Sequence, residues 1–134
     1  MMKTSTAGTF EIKSWDEKPF AESGAGTKAT LASVIKSYAG GLEGKGTIDY
    51  VMAYRPDGTA DFVGMEMVDG KLDGRAGTFV LQHGGVFEDG VAKITMSVVR
   101  GSGTGELRGL RGSAAISVGH DKSYAMNLEY DFEG

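Results

Sequence analysis

The chain has 134 residues, with 14 Lys+Arg against 18 Asp+Glu and a formal net charge of −4. That length makes a single domain, residues 1–134, with enough chain to bury a core unaided, and an acidic balance with no Lys/Arg block argues against nucleic acid as a partner. The absence of cysteine excludes disulfide frameworks, thiol nucleophiles, iron–sulfur clusters and cysteine-ligated zinc.

Residues 1–6 carry no apolar signal core, and no later apolar run approaches the roughly 20 residues of a membrane helix. The expectation is therefore a cytoplasmic protein without a membrane partner. Glycine is the compositional outlier, 22 residues against two prolines, about twice ordinary usage. The glycines punctuate short β-branched and aromatic segments, which is the pattern of an all-β fold.

In chain order, residues 4–15 read as a strand that ends at the turn-like Asp16-Glu17-Lys18-Pro19. Residues 28–38 form the next, although their Ala, Leu and Lys content would equally suit a helix. A glycine-rich loop at 40–44 leads to a strand at 47–55. Asp57-Gly58, Asp69-Gly70, Asp73-Gly74 and Asp89-Gly90 then bracket strands at 59–68, 75–88 and 91–99, since Asp-Gly suits the positive φ of tight hairpin turns. Residues 112–118 and 123–132 bring the count to eight, with a possible short piece near Glu106-Leu107.

Alternation by two assigns the faces. Ile48, Tyr50, Met52 and Tyr54 form one bulky row, Phe79, Leu81, His83 and Phe87 a second, and Tyr124, Met126, Leu128, Tyr130 and Phe132 a third. Eight antiparallel strands with one apolar face make a sandwich or a closed barrel, and closure removes the exposed edges. Gly84-Gly85 suggests a bend of the kind that turns barrel corners. The barrel is the preferred reading.

The segment GSGTGELRGLRGSAAISV at residues 101–118 resembles the glycine-rich turn before the last strands of allene oxide cyclases and dirigent proteins. From Ala7 to Phe20, through Asp57 to Gly64 and Phe79 to His83, the chain resembles a bacterial family labelled only as a domain of unknown function in the same barrel superfamily. The resemblance implies an allene oxide cyclase-like, eight-stranded antiparallel barrel that forms homo-oligomers. It also implies a cyclase or isomerase activity as one option, although fold does not transmit function.

Standard catalytic signatures are missing: no HExxH, GxSxG, EF-hand loop or GxGxxG. Residues 40–45, GGLEGK, fall one residue short of a phosphate loop and read as a hairpin loop. His83 lies in an apolar row, either as a core histidine satisfied by a neighbouring strand or as a proton carrier. Glu66 stands in FVGMEMV, where Phe62 and Val68 assign its face to the interior and Val63, Met65 and Met67 assign it to solvent. If Glu66 points inward, it can pair with His83 and raise the imidazole pKa, and Gly64 on the same face leaves room for a ligand or another backbone. Trp15, Tyr54, Phe87 and Tyr124 are candidates to line a ligand pocket. Two histidines 37 positions apart (120 − 83) make a tight zinc site improbable on spacing, and no metal or other cofactor is called for. Arg108 and Arg111 could meet an anion at the barrel mouth or belong to a solvated loop.

Three functions remain open at this level. One is a barrel binding a small apolar molecule; another is a cofactor-free cyclase or isomerase using His83 and Glu66; the third is a structural or interaction protein with a filled barrel.

Overall fold

The computed structural model describes residues 3–133. Eight strands follow one another as a meander and close into a barrel: β1 (Thr4–Glu22), β2 (Lys28–Gly40), β3 (Leu42–Tyr54), β4 (Ala60–Leu72), β5 (Arg75–Glu88), β6 (Val91–Val98), β7 (Leu110–Val118) and β8 (Tyr124–Phe132), with β1 antiparallel to β8. Residues 28–38 are strand throughout. Their alternation of Thr30, Ala32, Val34, Lys36 and Tyr38, all buried, overrides the helix propensity of their composition.

Two Asp-Gly pairs turn as expected. Asp73-Gly74 (φ 48 and 86) and Asp89-Gly90 (φ 55 and 75) have both residues in the left-handed region, the requirement of a two-residue type I′ turn. Asp57-Gly58 belongs to a longer loop between β3 and β4, with only Gly58 left-handed. Asp69-Gly70 makes no turn. It runs inside β4, and a side chain at Gly70 would lie 1.9 Å from the Glu43 carbonyl of β3. Glycine there serves close approach of two strands.

Other boundaries differ from the sequence reading. The loop at 40–44 contracts to Gly41 between two long strands. Asp16-Glu17-Lys18-Pro19 lies within β1, which turns only after Glu22. Ladder irregularities set Lys13 and Phe20 as extra residues, and such bulges bend the strand and increase its local twist. At Gly84-Gly85, β4 and β5 keep register through both residues, so no bulge lies there. Gly85 instead leaves space for the Phe62 ring, which a Cβ would approach to 2.7 Å. The short piece at Glu106-Leu107 is a single 3-10 turn, Gly105–Leu107.

The two barrel ends differ. At one end the segment before β7 folds back over β5: Thr104 N–H donates to the Thr78 carbonyl (2.9 Å), Val80 N–H donates to Ser102 Oγ (3.0 Å), and Ala76 N–H donates to Glu106 Oε1 (3.1 Å). These bonds satisfy the part of β5 that β6 does not reach. Leu42, Leu72, Leu107 and Leu110, each no more than 1% exposed, plug that end. Arg111 lies there too, bound to both carboxylate oxygens of Asp131, so neither it nor exposed Arg108 stands at the open mouth. At the other end the β1–β8 ladder stops at Phe10 while β1–β2 continues to Glu22. The arms diverge, and the interior opens between them.

Candidate functional site

Tyr50, Gly64 and His83 occupy one row across β3, β4 and β5. A Cβ on Gly64 would lie 2.7 Å from Tyr50 Cδ1, so only glycine lets the Tyr50 ring cross the row. The room predicted beside Glu66 is thus taken by this ring. Tyr50 OH reaches His83 Nδ1 at 2.9 Å, and His83 Nε2 reaches Glu66 Oε1 at 2.7 Å.

Glu66 points inward. It is 0% exposed, while Val63, Met65 and Met67 are 61%, 52% and 51% exposed on the outer face. Its second oxygen, Oε2, accepts from Tyr38 OH at 2.5 Å, and Lys36 Nζ lies 3.6 Å from Oε1. A Cβ on Gly46 would come within 2.0 Å of Oε2; that glycine makes the carboxylate's pocket. The Lys36 ammonium has no hydrogen-bond partner among the described residues and rests 4.4 Å over the Phe10 ring. Its contact with Glu66 is ionic.

Burial is the largest single influence on each titration here. It pushes Glu66 up, but the His83 hydrogen bond, the Lys36 charge and the Tyr38 hydroxyl outweigh it and hold the carboxyl below its ordinary range. Burial pushes the Lys36 ammonium down against the pull of Glu66. Burial also carries His83 downward, more than the Glu66 hydrogen bond and charge lift it, and Lys36 adds to the fall. The expected rise of the His83 pKa is therefore reversed. Since an ionised Glu66 only accepts, a neutral His83 donates from Nε2 and accepts the Tyr50 proton at Nδ1. Tyr50 and Tyr38 are both raised by burial first and then by the Glu66 charge, and both remain protonated donors.

Above this cluster, at the open end, lies a cavity of about 270 Å³. Its walls are largely apolar, with Val34, Met52, Phe62, Phe87, Ile94 and Val118 among them. Trp15, Tyr54 and Phe87 line it. Tyr124 does not: it stacks on Phe10 (5.3 Å between centroids), and its hydroxyl donates to the Gly119 carbonyl and accepts from Asp121 N–H, closing the β7–β8 turn. His83 and Glu66 meet but do not line the cavity. Tyr50 and Lys36 do, and stand between that pair and the open space.

Sequence reasoning missed Lys36, Tyr50 and Glu17 as cavity residues. Parity with Val34 and Tyr38 could have placed Lys36, and the Ile48–Tyr54 row already held Tyr50. Glu17 was hidden by the Lys13 bulge, which shifts the inward face of β1 from Phe10 and Ile12 to Trp15 and Glu17. Glu17 accepts from Trp15 Nε1 (3.0 Å), Thr30 Oγ1 (2.6 Å) and Tyr54 OH (2.7 Å). Its partial burial pushes the carboxyl up, and these three bonds, with Lys28 assisting, bring it net below the ordinary value. Among the described residues no three His, Cys, Asp or Glu side chains converge as metal ligands.

Fold and site together define a small closed β-barrel with a buried charged core and an apolar chamber at one end. The chain belongs to the DUF3224 family, described as proteins of unknown function, whose family model matches residues 6–130. It is similar to a solved DUF3224 protein of unknown function from Shewanella oneidensis MR-1, at 32% identity, 99% of this chain and 100% of that chain covered, and a TM-score of 0.83. No curated protein matches it.

Proposed function

We propose that this barrel binds one small, mainly apolar molecule in the chamber at its open end. The observation that carries the reading is the chamber itself: about 270 Å³, nearly twice the engineered apolar cavity of roughly 150 Å³ that admits benzene. A packed barrel of eight strands has no such space unless side chains withhold it. The size suits a cage or bicyclic hydrocarbon skeleton.

Trp15 supplies the assay. It is the chain's one tryptophan, 46% exposed, and stacks on Tyr50 at the chamber wall (6.0 Å between centroids). Titration with adamantanol is expected to change Trp15 emission saturably. Ile94→Phe, which fills the chamber while retaining apolar character, is expected to abolish the response without unfolding the barrel. A response that survives in Ile94→Phe, or none in the parent protein, overturns the reading.

A second reading, proton-transfer catalysis of the cyclase or isomerase kind, rests on the relay Tyr50–His83–Glu66, which begins at a chamber-lining side chain. In it Tyr50 touches the substrate, and His83 and Glu66 act through it as positioning residues. Recovery of a bound molecule chemically altered by the parent protein but not by Tyr50→Phe would favour this reading over simple binding.

A further inference from the structure

The charged groups around the chamber are unequal. Among the described residues that line it are one carboxylate and one lysine, Glu17 at the mouth and Lys36 at the floor. The Lys36 charge is answered beneath the floor by Glu66 at 3.6 Å. Glu17 has three hydrogen-bond donors fixing its orientation but no ion-pair partner within 4.0 Å among the described residues. The cation that acts on Glu17 is exposed Lys28, whose ammonium lies 5.2 Å over the Tyr54 ring, where water screens it. His120 also borders the mouth. The sum over Glu17, Lys36 and Glu66 leaves one negative charge uncompensated, and it lies at the mouth.

The neighbours of Glu17 are as informative as its charge. Its carboxylate is bonded to Trp15 and Tyr54, and Tyr50 and Phe62 stand on the same chamber. Aromatic rings joined to a carboxylate favour cations, because ring faces present negative potential and a desolvated cation loses less there than on aliphatic walls. Within this protein two ammonium groups already rest over rings, Lys28 on Tyr54 and Lys36 on Phe10.

We propose that the chamber mouth is a cation subsite, so that the molecule bound is an apolar amine or quaternary ammonium with its head against Glu17 and its body inside the barrel. This rests on the chamber-binding reading and names the ligand class for it. An anionic ligand would add a second negative charge beside Glu17, and could reach Lys36 only by competing with Glu66.

The test compares three ligands that share one hydrocarbon cage: adamantylamine, adamantanol and adamantane carboxylate, titrated at neutral pH on Trp15 emission and checked by calorimetry. The ammonium is expected to bind about ten-fold or more tighter than the alcohol, and the carboxylate weakest. Glu17→Gln keeps the side chain's size and is expected to shrink the ammonium–alcohol gap to about three-fold or less. Equal affinities, a tightest carboxylate, or a gap that persists in Glu17→Gln overturns the cation subsite while leaving chamber binding standing. Failure of all three ligands to bind overturns both.

Discussion

Glu66 keeps a charge at the centre of the barrel because His83, Tyr38 and Lys36 converge on its two oxygens. Breaking a buried ionic group on one side strands its partners, at a cost of about 3–5 kcal/mol. Glu66→Leu is therefore expected to lose that much in urea unfolding, since Lys36 is left buried and unpaired. Lys36→Met should cost at least about 2 kcal/mol less, because the ammonium makes no hydrogen bond and its removal leaves Glu66 two donors. The same cluster sets a pH dependence. His83 and Glu66 are held below their ordinary values of 6.5 and 4.5, so on acidification the unfolded chain takes up protons that the folded one refuses. The stability they contribute is present above those values and is lost as pH falls, first below 6.5 through His83 and then below 4.5 through Glu66. The melting temperature should drop as pH falls through this range, and His83→Gln should flatten the upper part of the curve. A melting temperature that rises toward acid would contradict the assignment. At this scale the sequence was partly legible. The row Phe79, Leu81, His83 placed the imidazole inside, but Glu66 sits in a strand apolar on both faces, where alternation alone cannot choose. Ladder pairing with Ile48 and Leu81 decides it.

Among the elements, β1 is where sequence and structure part most. Asp16-Glu17-Lys18-Pro19 has turn composition, yet it forms strand because β2 supplies a continuous ladder from Lys28 to Gly40. Proline is tolerated where a strand has one unpaired edge, and beyond Phe10 β1 pairs with β2 but no longer with β8. The bulge at Lys13 then rotates the strand by one residue, which exchanges the faces of everything after it. Deleting Lys13 removes only the extra residue, so regular pairing should keep Trp15 opposite Val34 and Glu17 opposite Ala32, both still facing inward. The expected result is a ligand-induced change in Trp15 emission that persists, with far-ultraviolet circular dichroism still that of a β-barrel. Loss of the ligand response in a deletion variant that remains folded would show that the bulge itself, and not the ladder with β2, positions the mouth. The hairpins were easier to read: Asp73-Gly74 and Asp89-Gly90 adopt the conformation their dipeptide favours, whereas Asp69-Gly70 carries the same dipeptide for a different reason, the Glu43 carbonyl against Gly70. Dipeptide chemistry alone cannot separate a turn from a close strand crossing.

For the whole molecule, eight alternating strands imply closure, and closure follows from the β1–β8 ladder. What the strand pattern could not convey is that the barrel is packed at one end and hollow at the other. That asymmetry depends on long-range placement: the glycine-rich segment before β7 folds onto β5 and seats Leu107, while among the described residues the mouth has no comparable plug. For the small molecule proposed in the hollow end, the methionines report from both sides of the wall. Met52 lines the chamber, while Met65 and Met67 lie on the outer face of β4. Methyl NMR of methionine-labelled protein during titration with adamantylamine is the most direct measurement. A saturable shift of the Met52 methyl with Met65 and Met67 unmoved is expected; shifts confined to Met65 and Met67, or no shift at Met52 at saturating ligand, would overturn chamber binding.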